Sequence, residues 1–397
     1  MHNVQFFALV ARPLGPHNDF PMPRPLALGI FLPNAKGGAI MAETSPPQYL
    51  PSWKLNALNA KVAEDAGFAF LLSMVKWRGF GGVTSHWDYS LESFTLMAAC
   101  AAVTSRIELY ASVAISTIHP AVIAKMASTI DDISGGRFGV NIVSGWNKLE
   151  YEQMGLWRGD EYFKYRYEYA AEYLQVLRLL WATGRTSHAG RFFTLEDCKS
   201  YPMPSRKIPI ICAGQSERGL RFTAEHADFS FLGGQDDSLD DLGALNAKLQ
   251  ETARTFGRNV GAYVLLTVIA EETDEAAFAK RDFYIAHSDK VAMAEWARVA
   301  GMDFSRATYR DLAVQTFMAI PYVAGSYQTV ANYLDGLAEQ GLAGVCFIFP
   351  DYEHDLQRLI ENVLPRLKYR PFRQADGTGD PGSRGSAAAV AVGVGQG

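Results

Sequence analysis

Cysteine is scarce in this chain: Cys100, Cys198, Cys212 and Cys346 are the four in 397 residues, and no two stand in a Cys-x-x-Cys spacing. That excludes a disulfide framework or a zinc knuckle and predicts reduced core thiols in a cytoplasmic protein. Excess positive charge is also lacking. With 37 Lys and Arg against 42 Asp and Glu, a net charge of -5 and a pI near 5.9, there is no broad basic surface for nucleic acid or anionic lipid. No apolar run is long enough to cross a bilayer. The patch from Phe6 to Ala11 is broken by Arg12 and Pro13 and has no small-residue cleavage site after it, so residues 1–25 read as a disordered extension. The eight histidines are dispersed, and there is neither an H-E-x-x-H helix nor a G-x-S-x-G elbow. His86-Trp87-Asp88 is the one tight His/Asp grouping, and neighbouring positions there point in different directions, which argues against a dyad. The sequence therefore predicts no metal site and no hydrolytic triad.

What is present is a large apolar content, 48% hydrophobic and 12% aromatic, arranged as strands alternating with helices. Strands are expected at Leu26 to Leu32, Ala69 to Met74, Ile107 to Val113, Phe138 to Val143, Pro209 to Ala213, Asp228 to Leu232, Tyr263 to Ala270 and Gly344 to Phe349. The clearest helical patterns are Leu91 to Val103, Ala121 to Ile133, Glu161 to Ala182, Ser216 to His226, Leu239 to Phe256, Asp274 to Ala300, Ser326 to Gln340 and His354 to Leu367. Near-continuous apolar strands must be covered on both faces, which predicts parallel pairing and an α/β fold of one closed (β/α)8 TIM barrel over residues 26–370. The rival, an open doubly wound sheet, would usually carry a glycine-rich turn after its first strand. Here Leu32-Pro33-Asn34 opens a loop of about twenty residues instead. Residues 371–397 are Gly- and Ala-rich and read as a disordered tail, and Gly301 to Gly325 reads as an insertion before the last strand.

Chemistry on such a barrel belongs at the carboxyl ends of the strands. Val75 to Gly82, after the second strand, offers two cations, two aromatics and three glycines, which suit an anionic or planar ligand; a mobile surface loop is an equal reading. Ser112 to Thr117 ends the third strand, and Asn141, Ser144 and Trp146 end the fourth. Their hydroxyls and amide supply neutral hydrogen bonds without a strong base, although each residue alone could be a loop cap. Arg166 and Tyr167, on a tyrosine-rich helix start, with Ala213-Gly214-Gln215-Ser216 after the fifth strand, could build a phosphate site at a helix N-terminus. Ser216 could equally be a plain N-cap, and the tyrosines plain packing.

The runs Leu72 to Gly82 (LSMVKWRGFGG), Leu91 to Ala98, Ala102 to Ile107, Ile133 to Asn141 (ISGGRFGVN), Glu150 to Gly155 and Ile211 to Ser216 carry a family likeness. They resemble the bacterial luciferase-like flavin monooxygenases, and among them the pyrimidine monooxygenases of the Rut uracil-degradation pathway. The resemblance implies a TIM-barrel enzyme that takes reduced FMN from a separate NADH-dependent flavin reductase, with NADP among the associated nicotinamide nucleotides, and reacts it with dioxygen. It implies FMN contacts at Val75, Lys76, Asn141, Glu150, Arg166, Tyr167 and Ser216, and an oxygen and substrate pocket lined by Ser112, Asn141 and Trp146. A flavin-borne peroxide would attack a uracil or thymine carbonyl and open the ring to a ureidoacrylate. The implied protein is cytoplasmic and homo-oligomeric. Ser112, Trp77, Ser85 and His86 depart from the residues those relatives carry, which leaves cleavage of a C-S or C-Cl bond in an aromatic sulfone or haloarene as the alternative.

Overall fold

The protein is described by a computed structural model covering residues 24–45, 48–214, 216–233, 238–300 and 311–370. Residues 1–23 of the expected N-terminal extension, the expected tail 371–397 and residues 301–310 of the expected insertion lie outside the described residues. The strands are β1 (Ala27–Phe31), β2 (Phe70–Ser73), β3 (Glu108–Ala114), β4 (Phe138–Val143), β5 (Arg185–Ala189), β6 (Thr194–Lys199), β7 (Ile210–Ala213), β8 (Phe229–Leu232), β9 (Gly261–Glu271), β10 (Tyr322–Ser326) and β11 (Gly344–Ile348). The helices are α1 (Trp53–Asp65), α2 (Ser93–Val103), α3 (Pro120–Ser134), α4 (Lys148–Glu152), α5 (Tyr162–Thr183), α6 (Glu217–His226), α7 (Leu239–Thr255), α8 (Asp274–Ala286), α9 (Lys290–Ala300), α10 (Leu312–Thr316), α11 (Tyr327–Glu339) and α12 (Asp355–Arg358).

Strands β1, β2, β3, β4, β7, β8, β9 and β11 pair in that order, all parallel, and β11 returns to β1 to close the barrel. These are the eight expected from the sequence. Closure leaves each strand with one face toward the barrel axis and one toward the helices, and side chains alternate between them. On β9, Val264, Leu266 and Val268 join the core beneath the helices, while Tyr263 and Leu265 pack inside the barrel.

Four rings plug the amino-terminal end of the barrel. Phe70 and Phe229 stack on Tyr263 at 4.9 and 4.6 Å, and Tyr110 meets Phe70 edge-on at 5.9 Å. The rings occupy the space that side chains of facing strands would need. A Cβ on Gly29 would sit 2.2 Å from the Phe70 ring, and one on Gly139 2.2 Å from Tyr110, so only glycine fits at either place.

Three strands were not expected. β5 and β6 form an antiparallel hairpin outside the barrel, and β10 runs parallel to the far half of β9. The segment read as an insertion thus supplies α10 and a sheet strand. The pattern from Asp274 to Ala300 is two helices, broken where Asp289 turns to accept from Val291 N and Ala292 N. The last helical pattern changes pitch at Leu359–Val363 and tightens over Leu364–Arg366 as Pro365 approaches.

Candidate active site

Ser112 and Asn141 lie opposite one another in the β3–β4 register. By alternation from Tyr110 and Gly139, both face the inside of the barrel, nearer its carboxyl end than the aromatic plug. The β2–β3 ladder ends here with side chains in place of backbone. Ser112 N donates to Ser93 Oγ at 2.8 Å, Ser112 Oγ donates to Ser73 O at 2.6 Å, and Ser73 Oγ lies 2.6 Å from Ser93 Oγ. Asn141 Nδ2 then donates to Ser112 Oγ at 2.9 Å, leaving Asn141 Oδ1 buried without a partner. A bare buried acceptor costs on the order of 1–3 kcal/mol unless a ligand satisfies it, and this one faces the place where a ligand would sit.

Asn34, in the loop after β1, pins the end of β2. Its Nδ2 donates to Met74 O at 2.8 Å, and its Oδ1 accepts from Met74 N at 3.1 Å. Half-buried Val75 follows, and then Lys76, whose Nζ donates to Glu150 Oε1. Both side chains are buried. Asn147 Nδ2 also donates to Glu150 Oε1, at 3.0 Å, fixing the carboxylate at the start of α4. Lys76 Nζ lies 4.7 Å from the Trp87 ring centroid, 4.8 Å from that of Trp146 and 5.8 Å from that of Phe80, so rings enclose the ammonium wherever the carboxylate does not. Burial lowers the Lys76 pKa and raises that of Glu150, while each partner's charge opposes the shift of the other.

A third group forms where α5 begins and α6 begins. Arg166 donates to Gly145 O at 3.3 Å and to the Tyr167 hydroxyl at 3.4 Å, and that hydroxyl lies 3.5 Å from Ser216 Oγ. Ser216 caps α6 by accepting from Gly219 N at 3.1 Å, so the plain N-cap reading holds for it alongside any other role. A Cβ on Gly219 would sit 2.5 Å from the Tyr167 hydroxyl. Guanidinium, phenol, hydroxyl and free helix N-H groups converge at one exposed place, with the donor chemistry of an anion site. Of the other α5 tyrosines, Tyr162 and Tyr169 are buried packing, as their plain reading had it, Tyr173 is buried as well, and Tyr162 also donates to Ser144 O at 2.6 Å. Gln215 lies outside the described residues.

The loop from Trp77 to Ser90 folds down over the barrel opening. Thr84 N and Thr84 Oγ1 both donate to Asp289 Oδ2 at 2.8 Å, tying the loop to the start of α9. Burial opposes the Asp289 charge, but the N-H groups of Thr84, Ala292 and Val291 and the Thr84 hydroxyl hold its pKa below the usual carboxylate value. His86 is fully buried, with Nε2 3.1 Å from Met318 Sδ. A thioether has no proton to give, so Nε2 carries the hydrogen and Nδ1 is a bare acceptor. Burial pushes the pKa of this imidazole down to about 3. Ser85, Trp87, Met318 and Ala319 hold positive φ angles of 48, 62, 56 and 52°, strain concentrated in the two segments that meet here. Met41, Met74, Phe80, Trp87, Met293, Trp296 and Met318 form an apolar cluster with Trp146 packed on it, which screens the opening from water.

The structure thus brings together Ser112 with Asn141, Lys76 with Glu150 and Trp146, and Arg166 with Tyr167 and Ser216. Gly145, which receives Arg166, precedes Trp146 and joins the last two groups. Val75 has no side-chain hydrogen bond to make and is placed only by its neighbour. Sequence reasoning missed Asn34, Ser73, Ser93, Trp87, Asp289 and Met318. Ser93 carries a usable signal: Glu92 caps α2 by accepting from Phe94 N and Thr95 N, which frees the serine beside it for the barrel. A cavity of about 840 Å³ lies away from all of these, between α5 and the β5–β6 hairpin, beside Glu172. That carboxylate accepts from the N-H of Arg191, Phe192 and Phe193 and serves to anchor the hairpin. Among the described residues, no group of three or more His, Cys, Asp or Glu could hold a metal ion, and no helix is long and apolar enough to cross a membrane.

Comparison with known proteins agrees with the barrel. Pyrimidine monooxygenase RutA of Enterobacter sp. (strain 638) is 45% identical over 354 residues, covering 87% of this chain and 97% of that protein. Among solved structures, a long-chain alkane monooxygenase, LadA, superposes with a TM-score of 0.76 at 21% identity, covering 89% of this chain and 94% of its own. Riboflavin lyase RcaE, solved with modified FMN and riboflavin, gives a TM-score of 0.76 at 20% identity, covering 86% and 91%. At such identities these two structures speak for the fold alone. The model of luciferase-like monooxygenases matches residues 26–344, from the first barrel strand to the start of the last, and the chain belongs to that family.

Proposed function

We propose that this protein is a reduced-FMN-dependent monooxygenase that uses dioxygen to open the pyrimidine ring of uracil or thymine by amide cleavage, giving a ureidoacrylate-type product. The observation that carries the reading is the 45% identity, over nearly the whole length of both chains, to a pyrimidine monooxygenase. The residues present fit the cofactor. Arg166, Tyr167 and Ser216 would hold its phosphate at the start of α6, where free N-H groups and side-chain donors meet. Val75, Lys76, Glu150 and Asn141 would meet its ring system, and the bare Asn141 Oδ1 is the unsatisfied atom such a ring would engage. Reduced FMN, when bound, supplies the electrons that activate dioxygen.

The chain's own contribution is placement and the exclusion of water. Asn141, backed by Ser112, and Trp146 would supply the surfaces against which a substrate carbonyl is oriented. Lys76, locked to Glu150 and enclosed by rings, fixes the loop after β2 beside those surfaces. The Met-rich cluster keeps the opening apolar, so that hydrogen bonds made there are not diluted by solvent. A separate NADH-dependent flavin reductase as the source of reduced FMN, a homo-oligomeric assembly and a cytoplasmic location belong to the same proposal.

The test is consumption of uracil by purified protein supplied with FMN, NADH, a flavin reductase and oxygen, with the product identified by mass. A product carrying one added oxygen and an opened ring supports the reading. Reduced flavin and oxygen consumed without any change in uracil or thymine, and turnover of an aromatic sulfone or haloarene instead, would overturn it.

A further inference from the structure

Two of the inward-facing residues are not equivalent. Ser112 has one proton, and at 2.6 Å from Ser73 O that proton is spent on an atom that can only accept. Toward Asn141 its oxygen is therefore an acceptor, so the atom of Asn141 that meets it at 2.9 Å must be the amide nitrogen. Ser73 O also receives Ser93 Oγ at 3.1 Å, and Ser93 Oγ in turn receives Ser112 N at 2.8 Å, so the hydroxyl of Ser112 is held in place from two sides. Ser73 and Ser93 are completely buried and Ser112 is nearly so. The serines thus dictate which way round the Asn141 amide lies, and Oδ1 is left as its open acceptor.

We infer that Ser73, Ser93 and Ser112 form a positioning relay that fixes the Asn141 amide with its carbonyl oxygen toward the site, and that Ser112 acts through Asn141 and not on the reactants. The ligand edge chosen by this arrangement carries an N-H donor opposite Asn141 Oδ1, with a carbonyl beside it for the second Nδ2 hydrogen, the pattern of a lactam or imide. That ligand class rests on the reading of the site given above; the orientation of the amide does not.

The deciding measurement needs neither flavin nor substrate. In protein labelled with 15N-asparagine, the Asn141 side-chain signal, assigned by its loss in Asn141→Asp, should show one amide proton protected from solvent exchange by at least about tenfold, as for a buried hydrogen bond. Ser112→Ala should abolish that protection, and Ser112→Thr, which keeps the oxygen, should restore it. In turnover, Ser112→Ala should lower kcat/KM about tenfold, the scale of one hydrogen bond. Ser112→Thr should recover most of that loss. In an Asn141→Ala background the same Ser112→Ala change should cost nothing further. An unprotected Asn141 amide in the folded parent, or protection that survives Ser112→Ala, would overturn the relay. So would a Ser112→Ala cost of equal size with and without Asn141, since the hydroxyl would then act on the reactants itself. Protected amides with no uracil turnover would instead retire the proposed substrate and leave the relay standing.

Discussion

Lys76 donates to Glu150 across a separation of 74 residues, each side chain only 4% exposed, and this buried pair holds the loop after β2 to the segment after β4. Removing one partner strands the other. Lys76→Met leaves Glu150 without its cation, and a buried uncompensated charge costs about 3–5 kcal/mol. Because burial already raises the Glu150 pKa, the carboxyl in the variant escapes by taking a proton. A carboxyl whose folded pKa lies above its unfolded value, about 4.3, keeps its full stability below that value and loses it as pH rises through the folded pKa. Lys76→Met should therefore melt closer to the parent at pH 5 than at pH 8, and adding Glu150→Gln should recover much of the loss at pH 8. Equal melting deficits at the two pH values would contradict this account.

His86 gives a pH dependence in the opposite direction. Its folded pKa of about 3 lies below the unfolded value of about 6.5, so the stability it allows is complete above 6.5 and drains as pH falls toward 3. His86→Phe keeps a ring beside Phe80 and removes the titration. Urea melts from pH 7 down to pH 4 should show the parent losing stability relative to the variant at up to about 1.4 kcal/mol per pH unit. Parallel curves would show that the imidazole is already hydrated.

Asp289 tethers the covering loop, and its depressed pKa sets the window of that effect. A depressed carboxyl contributes its stability above the unfolded value of about 3.9 and loses it as pH falls through the folded value. Asp289→Ala should cost about 1–3 kcal/mol at pH 7, with the gap to the parent closing below about pH 4. Limited proteolysis between Trp77 and Ser90 should quicken in the variant. Cleavage there at the parental rate would mean that Thr84 is not what holds the loop down.

Gly219 borders the proposed phosphate site by its lack of a side chain. Gly219→Ala would place a Cβ 2.5 Å from the Tyr167 hydroxyl and 2.8 Å from Gly214 Cα, forcing Tyr167 away from Ser216. FMN affinity, followed by quenching of its fluorescence, should fall about tenfold or more, comparable with the loss in Arg166→Ala, since each removes about one charge-assisted hydrogen bond. Unchanged affinity in both variants would place the phosphate elsewhere.

The barrel was legible because its strands are buried on both faces and so read as apolar runs. The β5–β6 hairpin was not: Arg185–Ala189 has alternately exposed and half-buried residues with no large apolar side chain, so it carries no core signature. β10, with the sequence YVAGS, is too short and mixed to stand out, and the break at Asp289 shows only once Thr84, 205 residues away, is seen to bind it. At the site, Ser112, Asn141 and Trp146 were visible as polar or aromatic residues at strand ends. Met318 was not, because its meaning lies in His86, 232 residues away, and a lone methionine reads as core. What the sequence hides is mostly partnership across long separations.

The four-ring plug at the amino-terminal end has a kinetic side. With Phe70, Tyr110, Phe229 and Tyr263 filling that end, the described residues leave a molecule the size of a flavin or a pyrimidine no passage through it, and the carboxyl end is where the loop fastened by His86 and Thr84 lies. In a blind tunnel traffic is last in, first out. If the proposed cofactor and substrate share the barrel, whichever lies deeper would arrive first and leave last.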